Sequence, residues 1–317
     1  MILGLVGLVL GWVVLSIVLF FISAQTSASV SAATHDALAP GGTMLTGSTI
    51  LVLGTDERNT PGVEGSGVGR ADSIMLLHVA FGQVSRLSIL RDSLAPIPGH
   101  GEEKINGAFA YGGAPLMIQT VEDFLGNGVE VNHLVEVNFK EFPKFIDSLG
   151  GVTVDNKSEL KAPFFDRAVT APASCAPGNG GENGQPPTEG FRMKKGQCHL
   201  NGDQALTFAR IRKNLADPGE SDAERAERQQ AVLSGIRGQV TTPGTFVRLP
   251  WVAWAAPRTV HTDLRGLGMS LLAVDLLTGG AGKTDVLGDV TNVNPVTQTI
   301  TISDVEKSEA VAKLLGK

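Results

Sequence analysis

The chain has 317 residues, 42% of them hydrophobic and 18% charged, enough apolar material for a real core in one large domain or two ordinary ones. A formal net charge of −6 excludes a general nucleic-acid binder, because affinity for a phosphate backbone needs a broad basic surface and not one local cluster. The two cysteines, Cys175 and Cys198, are too far apart for a C-x-x-C redox or zinc site.

In chain order, Ile2 to Ile22 carries no charge. At about 1.5 Å per residue such a helix covers roughly the 30 Å of a bilayer core, so residues 1–23 are read as a transmembrane anchor. A cleaved signal peptide is the competing reading, with small residues at Ser23, Ala24 and Ala28. The apolar run is long for a signal, however, and no basic residue precedes it. Residues 24–47, rich in Ser, Ala, Thr and Gly, have the composition of a flexible linker, and the domain is placed at 48–317. Thr49 to Leu53 reads as a buried strand ending in Gly-Thr-Asp, followed by a glycine-rich loop, Pro61 to Gly69. Ser73 to Ala80 and Val84 to Leu90 are separated by too few residues for a crossover and are expected to pair antiparallel. Leu116 to Leu125 is predicted helical. Leu134 to Phe139 and Val152 to Asp155 are predicted strands, flanking a helix over Phe142 to Leu149. A polar, low-complexity insertion at about 171–198 is bracketed by the cysteines. A disulfide would close it in an oxidising compartment, and two free thiols are the alternative. Ala231 to Val240 and Leu264 to Leu277 are predicted helices, with a last strand at Gln298 to Ile302 before a short C-terminal helix. The fold class is α/β, expected as a single three-layer α-β-α domain with a central mixed, largely antiparallel sheet behind one transmembrane helix.

Thr207 to Gln230 carries the densest charge pattern. Arg210 and Arg212 are two apart, the spacing of one strand face, in an apolar strand-like segment where a solvated charge is out of place. Beyond a Pro-Gly break, Asp222, Arg225 and Gln229 fall at i, i+3, i+7 and project from one helical face. A solvated helix face is the commoner meaning of such a run. Several arginines together, rather than lysines, are what a site uses to hold phosphate oxygens bidentately. Three further pairs fall at strand ends, Asp56 with Arg58, Arg70 with Asp72, and Arg91 with Asp92. Ligands of α/β sheets lie at strand ends, and paired aspartates suit Mg²⁺, with Mn²⁺ an admissible substitute.

Other signals dissolve. Gly279 to Thr284 lacks the first glycine of a P-loop, there is no G-x-S-x-G elbow, and the histidines have no metal spacing. His133 is expected to be a structural hydrogen-bonder, and the segment from Lys104 to Gly113, with the only tyrosine at Tyr111, is read as a turn into a helix.

The stretches GTD (54–56), GRADSI (69–74), SILRD (88–92), KINGAFAYGG (104–113), LGGV (149–152), ALTFARIR (205–212) and SDAERAERQQ (221–230) resemble, in this order, the motifs of the LytR-CpsA-Psr family. The resemblance implies a phosphotransferase on the outer side of the bacterial cytoplasmic membrane. Its partners would be a polyprenyl-pyrophosphate-linked glycopolymer as donor and peptidoglycan as acceptor, with no nucleic acid. It also implies roles: Asp56 and Asp72 hold the metal, Arg91, Arg210, Arg212, Arg225 and Gln229 bind the pyrophosphate, and Arg70 and Arg228 are weaker ligands. Asp222 would orient Arg225 or assist proton removal. Leu90 stands where the family commonly has proline. The cysteine-bracketed insertion is similar to elaborations of actinobacterial members, which points to arabinogalactan, with teichoic acid or a capsular polymer as alternatives. A metal-dependent polyprenyl-pyrophosphate hydrolase using the same site, and a non-catalytic regulatory or lipid-binding membrane protein, are the competing functions.

Overall fold

A computed structural model describes residues 2–27, 30–43, 47–55, 69, 71–80, 82–163, 168–176, 190–211, 214–217, 222–278, 284–288 and 293–316. The first element, α1 (Ile2–Thr26), contains one window long and apolar enough to cross a membrane, Val6–Thr26, with a mean hydropathy of 2.6. The chain divides into two compact units, each of which takes part of α1. The first is residues 1–17 with 140–256, and the second is residues 18–139 with 257–317.

The second unit is built on a six-stranded sheet. Its strands are β1 (Ser48–Thr55), β2 (Ala71–Ala80), β3 (Gln83–Ile89), β6 (His133–Asn138), β11 (Val260–Thr262) and β12 (Thr284–Leu287), in the order β11-β6-β1-β2-β3-β12. β1 runs parallel to β6 and β3 parallel to β12, while the other three pairings are antiparallel, so the sheet is mixed and largely antiparallel. The two faces follow the period-2 alternation of the sequence. Leu51, Leu53, Ile74, Leu76, Leu87 and Ile89 form one core with α3 (Gly107–Leu125) and α9 (Asp304–Leu315). Ile50, Leu77, Val79 and Val84 form a second core with α8 (Gly266–Thr278). Helix, sheet and helix make three layers. A small hairpin, β4 (Leu94–Ile97) with β5 (Gly101–Lys104), precedes α3. That helix starts nine residues earlier than its apolar periodicity predicts, passing through a non-helical kink at Gly112 and Gly113. The stretch read as linker contains a short helix, α2 (Ala32–Ala37), capped by the Ser31 hydroxyl, whose neighbours Val30 and Leu38 pack on the first core.

The first unit has its own core around Ile146, Val152, Phe191, Phe208 and Val232. Its elements are α4 (Phe142–Leu149), β7 (Val152–Asn156), β8 (Leu160–Ala162), β9 (Phe191–Met193), β10 (Gly196–Leu200), α5 (Gly202–Arg210), α6 (Asp222–Val240) and α7 (Pro243–Ala255). β7 pairs with β10 and β8 with β9, both antiparallel. Cys175 and Cys198 are joined by a disulfide, as the sequence allowed, which ties the described start of the insertion to β10. Residues 177–189 of the insertion lie outside the described residues.

Two local expectations are corrected. The segment before Arg210 is a helix and not a strand. Asn201 and Gln204 form a reciprocal capping box at its start, and that box outweighs the two-residue spacing of Arg210 and Arg212. No strand forms over Gln298 to Ile302. Gln298 donates to the Asn294 carbonyl with φ at +53°, closing a turn that leaves only Ile300 to bridge Ser93 and Val293.

Candidate functional site

The C-terminal ends of β1, β3 and β6 and the start of β2 share one end of the sheet in the second unit. Gly54 pairs with Ser73 but Thr55 pairs with Ala71, so Asp72 is the extra residue of a β-bulge. Bulges re-aim side chains, and this one delivers the Asp72 carboxylate to Arg91, just beyond β3. Arg91 Nη1 lies 2.7 Å from Asp72 Oδ1 and Arg91 Nε 3.3 Å from Asp92 Oδ2. Lys104 Nζ sits 3.0 Å from the other Asp92 oxygen. The result is a chain of alternating charge, Asp72, Arg91, Asp92, Lys104, with Arg91 only 10% exposed. In such a setting the guanidinium is fixed before any ligand arrives, which is what electrostatic stabilisation of a phosphoryl group requires.

The backbone of Arg91 is held as firmly as its side chain. Ile105 N–H donates to the Ser93 carbonyl at 2.8 Å and Asn106 N–H to the Arg91 carbonyl at 3.3 Å. Lys104 to Asn106, read from sequence only as a turn, is therefore the strut of the arginine loop. Glu136, which the sequence reading overlooked, accepts a hydrogen bond from the Thr55 hydroxyl at 2.8 Å at the same sheet end. The only prior signal was an acid inside an otherwise apolar strand. His133 behaves as expected for a structural residue, with Nδ1 2.6 Å from Asp263 Oδ2.

Asp56, Arg58 and Arg70 lie outside the described residues, as does the glycine-rich loop up to Val68. Asp56 follows Thr55 in the chain, and Asp72 follows its ladder partner Ala71. Among the described residues no group of three or more His, Cys, Asp or Glu side chains gathers as a metal cage. Of the two aspartates read as metal ligands, Asp72 is described, and its carboxylate is engaged by Arg91 at 2.7 Å.

In the first unit, the arginine face of α6 is turned inward. Arg225 and Arg228 are each 5% exposed, and with Val232 and Gly235 they form one buried stripe at i, i+3, i+7, i+10. A Cβ at position 235 would lie 2.7 Å from the Thr153 carbonyl oxygen, so the glycine lets α6 approach β7 closely. Gln229 is half-buried beside this stripe. Arg228 Nη2 donates to the Ile211 carbonyl at 2.8 Å. Ile211 is the C-cap of α5, so a buried cation meets an end carbonyl where the helix dipole is negative. Arg228 thus holds the chain between Arg210, the half-buried last residue of α5, and Arg212. Arg212 and the Asp222 side chain lie outside the described residues.

A family model described as the LytR_cpsA_psr family matches residues 20–309. The chain belongs to that family. Among relatives of this LytR-CpsA-Psr protein is the polyisoprenyl-teichoic acid–peptidoglycan teichoic acid transferase TagU of Bacillus anthracis, 36% identical over 218 residues. The match spans 68% of this chain and 60% of TagU. Among solved structures, the crystal structure of B. subtilis TagV matches with a TM-score of 0.60 at 24% identity, over 85% of this chain and 96% of that one. TagT bound to LIIa-WTA matches with the same TM-score and identity, over 88% and 94%. At that identity the two structures establish the fold of this LytR-CpsA-Psr chain and nothing finer.

Proposed function

We propose that the protein is a membrane-anchored phosphotransferase that moves a glycopolymer from a polyisoprenyl-pyrophosphate carrier onto peptidoglycan. The observation that carries the proposal is Arg91, clamped between Asp72 and Asp92 at the sheet end, in a chain whose family relatives include a named polyisoprenyl-teichoic acid–peptidoglycan transferase. In the reaction, an acceptor hydroxyl oxygen bonds to the sugar-proximal phosphorus and the P–O bond to the bridging pyrophosphate oxygen breaks. Polyisoprenyl phosphate departs and a phosphodiester remains. Arg91, Arg210, Arg212 and Arg225, with Gln229, bind the pyrophosphate oxygens, and Arg70 lies at the margin. Arg228, bonded to the Ile211 carbonyl, is assigned a positioning role. Asp56 and Asp72 would hold Mg²⁺, which when bound supplies charge neutralisation to the phosphates. Asp222 is assigned to orient Arg225 or to take the hydroxyl proton, roles that the pH–rate profile of Asp222→Asn separates.

The disulfide supports an extracytoplasmic placement of the catalytic units, since such bonds persist in oxidising compartments. Within the wall polymers, the name of TagU favours teichoic acid, and the disulfide-tied insertion is the feature that favours arabinogalactan. The test uses the full chain in lipid nanodiscs with each polyisoprenyl-pyrophosphate-linked polymer, peptidoglycan and Mg²⁺. Polymer-linked peptidoglycan should form in equal amount with polyisoprenyl phosphate. Release of polyisoprenyl phosphate without linkage would replace transfer by hydrolysis, and no turnover with any donor would overturn the enzymatic reading.

A further inference from the structure

In the second unit, the last turns of α1 are not free of the fold. Ala24 is 1% exposed and Ser23 is fully buried, its hydroxyl accepting a hydrogen bond from Arg258 Nη1 at 3.2 Å. Phe20 packs into the same core as Leu264, Met269 and Leu272. Helix α8 begins against these turns. The backbone at Gly266, with φ +43°, suits a glycine, and a Cβ there would lie 2.4 Å from Gln25 Nε2 and 3.0 Å from the Phe21 ring, so α8 begins in close contact with these turns. Phe21, whose ring meets Gly266 along one edge, and Ile22 are each still 44% exposed.

Helix α8 continues that apolar surface. Met269 and Leu272 face the sheet and Leu271 packs beside them, while Leu267 and Val274, at i and i+7, point outward, 67% and 53% exposed. Its one charged residue is the half-buried Asp275. A 13-residue helix is about 20 Å long, too short to cross a bilayer core of about 30 Å. An apolar outward face on such a helix fits a position along the lipid–water boundary. Height agrees with this placement. α8 starts beside Phe21 and Gln25, near the end of the apolar window Val6–Thr26, which is where a spanning helix leaves the hydrocarbon. The exposed Arg265, which directly precedes α8, suits lipid phosphates, while the nearby Asp263 is already engaged by His133.

We infer that the outward face of α8, with Phe21 and Ile22 of α1, is a membrane-docking surface that seats the second unit on the lipid leaflet from which the anchor emerges. The inference rests on α1 being the membrane anchor. It makes the chain more than a domain on a tether, because the sheet face opposite α3 and α9 is then held at a fixed height above the bilayer.

The test places an environment-sensitive fluorophore on single cysteines in the full chain, at Leu267→Cys, Val274→Cys, Leu10→Cys in α1 and Val305→Cys on α9. Val305 is 68% exposed and belongs to the helix layer on the other sheet face. The protein is inserted in nanodiscs of phosphatidylcholine and phosphatidylglycerol, with or without acyl-chain spin labels. Labels at 267 and 274 should be quenched to about half the extent seen at 10 or more, and the label at 305 should not be quenched. If 267 and 274 behave like 305 while 10 is quenched, α8 faces water or protein and the docking surface is refuted with the anchor intact. If none of the four is quenched, the anchor fails and the docking surface falls with it.

Discussion

Arg91, in the second unit, is held by side-chain carboxylates, Asp72 at 2.7 Å and Asp92 at 3.3 Å, whereas Arg228, in the first, is held by a main-chain carbonyl at 2.8 Å. Arg91 sits at the rim of a sheet beside a bulge, and Arg228 lies inside a helix-packed core. A guanidinium bound to ionised partners at a strand end is pre-positioned for an incoming anion, and its partners can exchange roles with the ligand. One bound to a backbone oxygen at a helix C-cap is part of the scaffold. Arginine density alone does not identify a phosphate site, since the partner atom decides the role.

The largest expected effect follows from the first kind of arginine. Arg91→Ala should lower the rate of polymer transfer by about 10²- to 10³-fold, the usual loss when one preorganised donor to developing charge is removed. The change also strips Asp72 and Asp92 of their guanidinium partner, so the melting temperature should fall, and the rate is to be compared well below it, where the variant is folded. Arg91→Lys keeps the charge but loses the planar fork, and should recover only part of the rate. A rate loss of less than about threefold for Arg91→Ala would remove it from the site. A double-mutant cycle of Arg91→Ala with Arg210→Ala then asks whether both units act on one pyrophosphate: a clearly non-additive loss supports this, and additivity separates them.

Next come two changes confined to the scaffold. Replacing Cys175 and Cys198 by serine should cost about 3 kcal/mol, the scale for opening a loop of this length. Hydrogen exchange should then rise in peptides of 140–256 and stay constant around Arg91. Arg228→Met should cost about 2 kcal/mol in denaturant unfolding, because it removes a charge-assisted hydrogen bond and leaves the Ile211 carbonyl buried. If Arg228→Met instead leaves stability unchanged and abolishes activity, Arg228 contacts substrate, and the contrast with Arg91 collapses.

What the sequence reveals of this contrast divides along the same line. The strand ends that carry Asp72 and Arg91 are legible, because apolar alternation and short hairpin spacing are local signals, and the antiparallel pairing of β2 with β3 is recovered. The bulge that aims Asp72 is not, since register is decided between strands and leaves no mark in either alone. The sequence places Asp222, Arg225 and Gln229 on one face of α6, whereas the buried stripe is Arg225, Arg228, Val232 and Gly235. That choice depends on Gly235 meeting Thr153, a contact between elements distant in sequence. The helix before Arg210 could have been read from Asn201 and Gln204, three apart at its start. The two-residue spacing of Arg210 and Arg212 masked it. Lys104 to Asn106 looked inert because its work, bracing the Arg91 loop, is done by backbone groups that any residues could supply.

The smallest effect separates the two kinds of arginine most directly. Lys104 is 33% exposed and its pair with Asp92 borders solvent, so Lys104→Ala should cost less than about 1 kcal/mol at low ionic strength. Because Asp92 also holds Arg91 Nε, the loss should appear twice, as a small drop in stability and as a weaker pyrophosphate interaction seen as a raised KM. At about 1 M salt the screening length falls to roughly 3 Å, and the stability cost of Lys104→Ala should vanish. The cost of Arg228→Met should persist there, since a buried guanidinium bonded to a carbonyl is shielded from ions. Equal salt sensitivity in the two variants would mean that the carboxylate chain around Arg91 and the carbonyl bond of Arg228 are the same kind of support, whatever their geometry.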